Sequence, residues 1–195
     1  MKRTLLALAL IATPFAAVNA SELSYNYVEA GYTRVTGVGT KTDGVQVGGS
    51  AALGSNFHLF GNFSSYDLRG APNVDVWKLG VGYNHSLSNS TDLIARVGYE
   101  EAKASGSSSL NAYFTEVGVR GALGARVEGY ALAGYERAQT LNPSGLPGVS
   151  IREREGEFYG RLGALVKLNN NWGINADVKF IDGDAQYFIG PRLSF

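Results

Sequence analysis

Two-residue alternation is clearest in the stretch Trp172-Gly173-Ile174-Asn175-Ala176-Asp177-Val178-Lys179-Phe180. Every second side chain is apolar, and those between are small, polar or charged, which is typical of a β-strand with two unlike faces. The stretches 91–100 and 113–122 repeat the pattern. Because no window after residue 21 keeps a helical period for long, the sequence predicts an all-β protein.

The same alternation, followed outward from this stretch, divides the chain into ten predicted strands: 24–34, 44–53, 57–66, 74–85, 91–101, 112–123, 127–138, 156–168, 172–181 and 186–195. They run about ten residues or longer, whereas strands of soluble proteins average roughly five to six. Tilted strands that cross a membrane need about 9–11 residues. The length therefore favours strands that span a membrane.

Connector lengths alternate as well. Short turns are predicted at 54–56, 86–90, 124–126 and 169–171, and longer loops at 35–43, 67–73, 102–111 and 139–155. Short periplasmic turns and longer extracellular loops are typical of a transmembrane antiparallel β-barrel in the outer membrane of a Gram-negative bacterium. The connector 182–184 is short although it falls on the long-loop side. If that hairpin or the first strand is misassigned, the barrel has eight strands in place of ten.

Composition narrows the class of protein. The chain has 195 residues, 26 Gly, no Cys, and 17 acidic against 17 basic residues. Glycine is about twice its usual share of roughly 7%. The absence of cysteine excludes disulfide frameworks, thiol catalysis and thiolate zinc sites. The balanced charge argues against a nucleic-acid partner.

The first twenty residues have the features of a secretory signal peptide. Lys2 and Arg3 precede an apolar stretch over 4–17, and Val18-Asn19-Ala20 supplies the small residues that a signal peptidase recognises. We expect cleavage between Ala20 and Ser21, which leaves a barrel domain over 21–195. The apolar stretch is shorter than the roughly 20 residues of a spanning helix.

Aromatic residues on the apolar face fall into two groups at different heights along the predicted barrel axis. If the chain starts in the periplasm, one group lies near the outer rim: Tyr32, Trp77, Tyr99, Tyr113, Tyr135, Phe158, Phe180 and Tyr187. A second group lies near the inner rim: Phe57, Tyr83, Trp172 and Phe195. Two aromatic girdles around an apolar band are what two membrane interfaces favour.

The opposite face carries charges of both signs, which we expect to form an ion-paired network inside the lumen: Glu29, Lys78, Arg96, Glu100, Glu116, Arg120, Glu136, Glu157, Arg161, Lys167, Asp177, Lys179 and Arg192. Desolvated charges in a narrow barrel need partners. Glycines on this face are expected to leave room for the long charged side chains. The network predicts a plugged lumen, with a narrow channel as the alternative.

The chain ends on an aromatic residue, with apolar residues at alternate positions before it. Tyr187, Ile189, Leu193 and Phe195 look like the C-terminal signal that the barrel-assembly machinery recognises in outer-membrane proteins. Pro191 lies within this strand and removes a donor from its ladder. We expect a bulge or a lost hydrogen bond there.

Four stretches, 24–29, 80–85, 116–123 and 190–195, resemble the small outer-membrane barrels of xanthomonad bacteria. The resemblance runs from the signal peptide to the last residue and is weakest in the loops. It implies a barrel architecture like that of the OmpA and OmpX proteins. It also implies a secreted, virulence-related signal with a role in quorum sensing and in activation of a rice immune receptor, because that role was proposed for the family. It brings no catalytic residues.

Enzymatic chemistry is not favoured by the position of the histidines. His58 and His85 both fall near the predicted periplasmic rim, whereas barrel enzymes carry their histidine near the outer rim. We predict no catalytic, cofactor-binding or metal-binding residues. The run Arg152-Glu153-Arg154-Glu155 predicts a solvated rim, with lipopolysaccharide contact as the alternative.

The sequence therefore predicts a monomeric, non-catalytic outer-membrane barrel with structural, adhesive or interaction roles. Its expected partners are membrane lipid and lipopolysaccharide, the barrel-assembly machinery during biogenesis, and a host or surface ligand at the loops. A small pore, a secreted or vesicle-released signalling factor and an outer-membrane enzyme are the alternatives.

Overall fold

The computed structural model describes residues 23–37, 40–67, 73–104, 109–140 and 156–195. They form ten strands: β1 (Tyr27–Gly37), β2 (Thr40–Leu53), β3 (Phe57–Asp67), β4 (Val74–Ser88), β5 (Thr91–Ala104), β6 (Leu110–Ala122), β7 (Val127–Thr140), β8 (Glu157–Lys167), β9 (Trp172–Ile181) and β10 (Asp184–Ser194). Each strand pairs antiparallel with the next, and β1 pairs with β10, which closes the barrel. The ten-strand prediction is confirmed, and the eight-strand alternative is wrong.

Strand lengths run from 10 to 15 residues, which suits tilted strands that cross a bilayer. In the described part of the chain, no helix is long and apolar enough to span a membrane. The predicted signal peptide and its cleavage position between Ala20 and Ser21 lie outside the described residues.

The longer connections all lie at one end of the barrel. At one end, which we call the terminal mouth, the described chain begins and finishes, and turns at 54–56, 89–90, 123–126 and 168–171 join the strands. At the other end, the loop mouth, the connections over 68–73, 105–109 and 141–156 are longer. Three of the four predicted long loops therefore connect strands at this end, together with two shorter connections.

The first hairpin at the loop mouth is tighter than the sequence predicted. β1 and β2 remain paired up to Gly37 and Thr40, so the predicted long loop at 35–43 is wrong. Val35, Thr36 and Thr42 are β-branched and favour extended backbone, so that the ladder continues where polarity suggested a loop.

The β9–β10 hairpin closes with a two-residue turn at the same mouth. Asp182 and Gly183 have φ angles of 47° and 83°, the pair of left-handed conformations that a tight hairpin turn requires. The short connector 182–184, which made an eight-strand barrel the alternative, is therefore an ordinary hairpin turn.

The seam between β1 and β10 has a gap in its ladder. Glu29 pairs with Arg192 and Tyr32 with Ile189, but the two positions between them drop out of the ladder, although the register does not shift. Pro191 has no N–H to donate across the seam. A ladder hydrogen bond is therefore missing at Pro191, as expected, and no bulge forms there.

Gly31 and Gly190 face each other inside this gap. A Cβ added to Gly190 would lie 2.6 Å from the Cα of Gly31, and would overlap the carbonyl oxygen of Ala30. Glycine is therefore required here because the two backbones approach too closely for any side chain.

Candidate functional site: the lumen and the two rims

Side chains that point into the lumen form a chain of ion pairs along one wall. Arg96 Nη1 lies 3.8 Å from Glu116 Oε2, and Glu116 Oε1 lies 3.9 Å from Arg161 Nη1. Arg161 Nη2 donates to Asp177 Oδ2 at 2.8 Å. The chain thus links β5, β6, β8 and β9. Tyr159 adds a hydrogen bond to Glu116 Oε1 at 3.0 Å.

A second cluster lies near the terminal mouth. Glu128 accepts from Arg120 through Nη2 at 2.5 Å and Nε at 3.1 Å, and Lys167 Nζ lies 2.6 Å from its other oxygen. The side chains of Arg120 and Glu128 are only 6% and 4% exposed. Glu128 was absent from the predicted network, although it has the same strand parity as Glu136.

Three further pairs hold all of the remaining predicted charges except Glu157. Lys78 Nζ lies 2.6 Å from Glu100 Oε2, and Lys179 Nζ lies 2.5 Å from Glu136 Oε2. Arg192 bridges the seam to Glu29 at 2.6 Å. Within the described residues Glu157 has no ion-pair partner, and its register neighbour is another acid, Glu136.

The segment before β1 enters the terminal mouth. Tyr25 was predicted as a strand residue, but β1 begins at Tyr27 and the ring of Tyr25 turns into the lumen, where it is 7% exposed. Its hydroxyl donates to Asp92 Oδ2 at 2.8 Å, and its ring stacks on His58 with centroids 4.6 Å apart. Burial raises the pKa of the Tyr25 hydroxyl.

Further contacts hold this N-terminal segment in place. Tyr25 packs with Ile94 and Leu132 in a small buried hydrophobic cluster. Arg120 Nη1 donates to the carbonyl oxygen of Ser24 at 2.9 Å, and its guanidinium lies 4.9 Å from the centroid of the Tyr25 ring. The terminal mouth is therefore filled by an apolar ring, a histidine and the cluster around Glu128.

Glycines of the lumen face lie opposite aromatic rings, which the sequence did not predict. In the strand register, glycine pairs with His58, Phe60, Tyr66, Phe114, Tyr130 and Tyr159. A Cβ added at each of these glycines would meet the ring opposite. The expectation that glycine leaves room for charged chains is therefore wrong at these positions, because rings cover the glycines.

Little open space remains between these groups. Two lumen cavities have about 30 Å³ and 40 Å³ of water-accessible space, and Asn62, Lys78, Arg161 and Asp177 line both. Since one water molecule needs about 10–15 Å³ of such space, each cavity has room for a few waters and for no larger solute.

The apolar face points outward and carries the predicted girdle residues. Those exposed on it are Tyr32, Trp77, Tyr113, Tyr135, Phe158, Phe180, Tyr187, Phe57, Tyr83, Trp172 and Phe195. Tyr99 is half-buried because it packs between Trp77 and Tyr113, with centroid distances of 5.2 and 5.3 Å. Of the proposed assembly-signal residues on β10 and its end, Tyr187, Ile189 and Phe195 are exposed and Leu193 is half-buried.

The two histidines lie toward the terminal mouth, where the sequence placed them. His58 is fully buried beneath Tyr25, and His85 is exposed. Across the described residues, no three His, Cys, Asp or Glu side chains are grouped so that they could hold a metal ion. The charged run at 152–155 lies outside the described part of the chain.

Residues 9–105, a little under half of the chain, match the family model of Gram-negative porins. The protein is an outer-membrane β-barrel that is similar to Gram-negative porins over this range. In this location the short turns of the terminal mouth face the periplasm and the loop mouth faces the outside. No curated protein matches the chain.

Several solved structures are similar to the chain at low sequence identity. The KdgM porin in complex with disordered oligogalacturonate is 13% identical over 86% of this chain and 99% of that one, with a TM-score of 0.47. The translocator domain of autotransporter NalP from Neisseria meningitidis is 14% identical over 97% and 94%, with a TM-score of 0.46. Ail, the attachment invasion locus protein of Yersinia pestis, is 10% identical over 90% and 100%, with a TM-score of 0.39.

Proposed function

We propose that the protein is a monomeric, non-catalytic outer-membrane barrel whose lumen is closed to solutes and whose loop mouth is its surface for contacts. The observation that carries the proposal is the filled terminal mouth. There Tyr25 covers His58, Ile94 and Leu132, and the two lumen cavities described above, lined by residues that the structure describes, have room for only a few waters each.

The ion pairs support a closed lumen because moving them is costly. A solute that passed through would have to separate pairs such as Arg161–Asp177 at 2.8 Å and Arg120–Glu128 at 2.5 Å. Breaking one buried pair costs about 3–5 kcal/mol. The lumen therefore acts as a packed polar core that resists the passage of a solute.

The geometry also supports the absence of catalysis. A general base must reach its substrate before its pKa matters, and His58 is completely covered by its neighbours. The lumen carboxylates Glu116, Glu128 and Asp177 are each held by a cation. None of them is open to a substrate at the loop mouth.

Single-channel recording in planar bilayers tests the closed lumen. We expect no conductance steps from the refolded wild-type protein. The triple variant Tyr25→Ala, Ile94→Ala, Leu132→Ala removes the seal and serves as the positive control for insertion. Stable steps from the wild-type protein would contradict the proposal.

A gated narrow pore is the second candidate, and the position of Tyr25 favours it. Tyr25 precedes β1, so it can leave the mouth without breaking a strand ladder. The match to Gram-negative porins supports the same role. A gated pore predicts brief openings of the wild-type protein that become frequent in Tyr25→Ala, with Tyr25→Phe close to wild type. A closed barrel predicts no openings of the wild-type protein or of Tyr25→Phe, so brief openings of the wild type separate the two candidates.

The signalling role that the xanthomonad resemblance implies needs protein outside the membrane. The exposed apolar band, with side chains such as Val45, Val47 and Leu79, would be costly in water and supports residence in the membrane or release in vesicles. Fractionation of the culture separates these cases. Soluble protein in vesicle-free medium would support the signalling role and contradict membrane residence.

A further inference from the structure

An open groove of about 770 Å³ runs over the outward face of β8, β9, β10 and β1 to the start of β2. Its walls are apolar side chains, among them Leu162, Val178 and Ile189. Its floor is low where Ala164 and Ala176 stand opposite each other in the β8–β9 register.

One end of the groove is cationic. Arg34 and Lys41 line it beside the girdle residues Tyr32 and Tyr187. Arg34 pairs with Tyr187 across the seam, and Tyr32 lies two residues before Arg34 on the same face. Aromatic girdles lie at the headgroup level of the bilayer. The two cations are therefore at the height of lipid headgroups on the side of the loop mouth.

The arginine keeps donors for a ligand. Its Nε donates to Asp43 Oδ1 at 2.5 Å, and Asp43 also accepts from the Tyr32 hydroxyl. These contacts hold Asp43 at the side of the arginine, and the contact through Nε uses one of the five N–H donors of a guanidinium. Arg34, Lys41 and Asp43 together carry a net charge of about +1.

We propose that this groove binds one molecule of lipid A, the phosphorylated and acylated lipid of the outer leaflet. An acyl chain lies along the apolar walls over Ala164 and Ala176, and a phosphate accepts hydrogen bonds from Arg34 and Lys41. Charge complementarity selects this occupant, because the cations stand where the apolar groove reaches headgroup height. The proposal rests on the outer-membrane location and not on the closed lumen.

Native mass spectrometry of the full refolded chain in detergent tests this site, with diphosphorylated lipid A as the probe. We expect one bound lipid A per barrel. The double variant Arg34→Gln, Lys41→Gln should weaken binding about tenfold or more, because charge-assisted hydrogen bonds are lost. Ala176→Phe places a ring in the floor of the groove and leaves Arg34 and Lys41 unchanged. It should also weaken binding of lipid A.

Arg137→Gln is the matched control. Arg137 is exposed and pairs with a girdle residue, Tyr113, as Arg34 pairs with Tyr187, but it does not line the groove. We expect unchanged binding in this variant. The boiling-dependent gel shift of each variant shows that it is folded.

Three results would overturn the proposal: equal losses in Arg137→Gln and in the double variant, equal affinity for dephosphorylated lipid A, or equal affinity for phosphatidylglycerol. The last would make the groove a general site for anionic lipids. Conductance measured on the same preparations reports on the lumen alone, so failure of the lipid site and failure of the closed barrel are distinguishable.

Discussion

Replacement of Glu128 by Gln tests the cluster at the terminal mouth most directly. Glutamine keeps the size of the side chain but removes its charge. Arg120 and Lys167, which contact the two carboxylate oxygens at 2.5 and 2.6 Å, then share a single neutral acceptor. The amide NH₂ group would also point a donor at one of the cations.

The expected loss of stability follows from burial. Removal of one partner from a buried ion pair costs about 3–5 kcal/mol. Arg120 is 6% exposed and bears the full effect, whereas Lys167 is 18% exposed and recovers part of its hydration at the mouth. We therefore expect the lower end of that range, a decrease of about 3 kcal/mol in the free energy of unfolding.

Urea unfolding of the protein in lipid vesicles, followed by the fluorescence of Trp77 and Trp172, measures this loss. Asp67→Asn is the control, because Asp67 is an exposed acid at the end of β3. It should change the free energy of unfolding by no more than about 0.5 kcal/mol. A loss below about 1 kcal/mol in Glu128→Gln would refute the view that this cluster is a desolvated, stabilising centre.

Three other predictions concern the packing of the barrel. Gly190→Ala should force β1 and β10 apart and lower the yield of folded barrel on unboiled SDS gels. The control Gly160→Ala should fold like wild type, because there is open space where its Cβ would lie. Similar yields of the two variants would argue against the close approach at the seam. Gly134→Val should push the Tyr159 ring off its glycine and lower the free energy of unfolding by about 1–3 kcal/mol in the same urea assay, and an unchanged value would argue against that contact. The wild-type barrel should migrate faster before boiling than after it, and identical mobility would count against a stable closed sheet.

The alternation of apolar and polar residues was sufficient to predict the strands of the fold. It located all ten strands because each crosses from one end of the barrel to the other with an unlike environment on its two faces. The errors lie at strand ends, where polarity is a poor guide. Tyr25 was assigned to the first strand because it fits the alternation, and only the barrel as a whole shows that it turns inward over His58.

The lumen was predictable in composition but not in its pairing. Strand parity placed Arg96, Glu116 and Arg161 on the same face, and the structure brings these three together. Their distances depend on register and on strand tilt, which one strand does not encode. The contacts between glycines and aromatic rings also could not be predicted from single strands. Gly134 and Tyr159, for example, are neighbours only across the β7–β8 ladder.

The gap opposite Pro191 has a consequence for how the barrel reaches its final form. β1 and β10 are the first and last strands of the barrel, and the Glu29–Arg192 contact joins residues 163 positions apart. With the ladder interrupted beside it, this contact and the bond from Asn175 to Glu29 at 3.0 Å discriminate between possible alignments. A slip of two residues would place Glu29 opposite Gly190 or Ser194 and leave its charge without a partner. A barrel misaligned in this way would lose both contacts of Glu29, so the observed register is the one in which this buried carboxylate is paired.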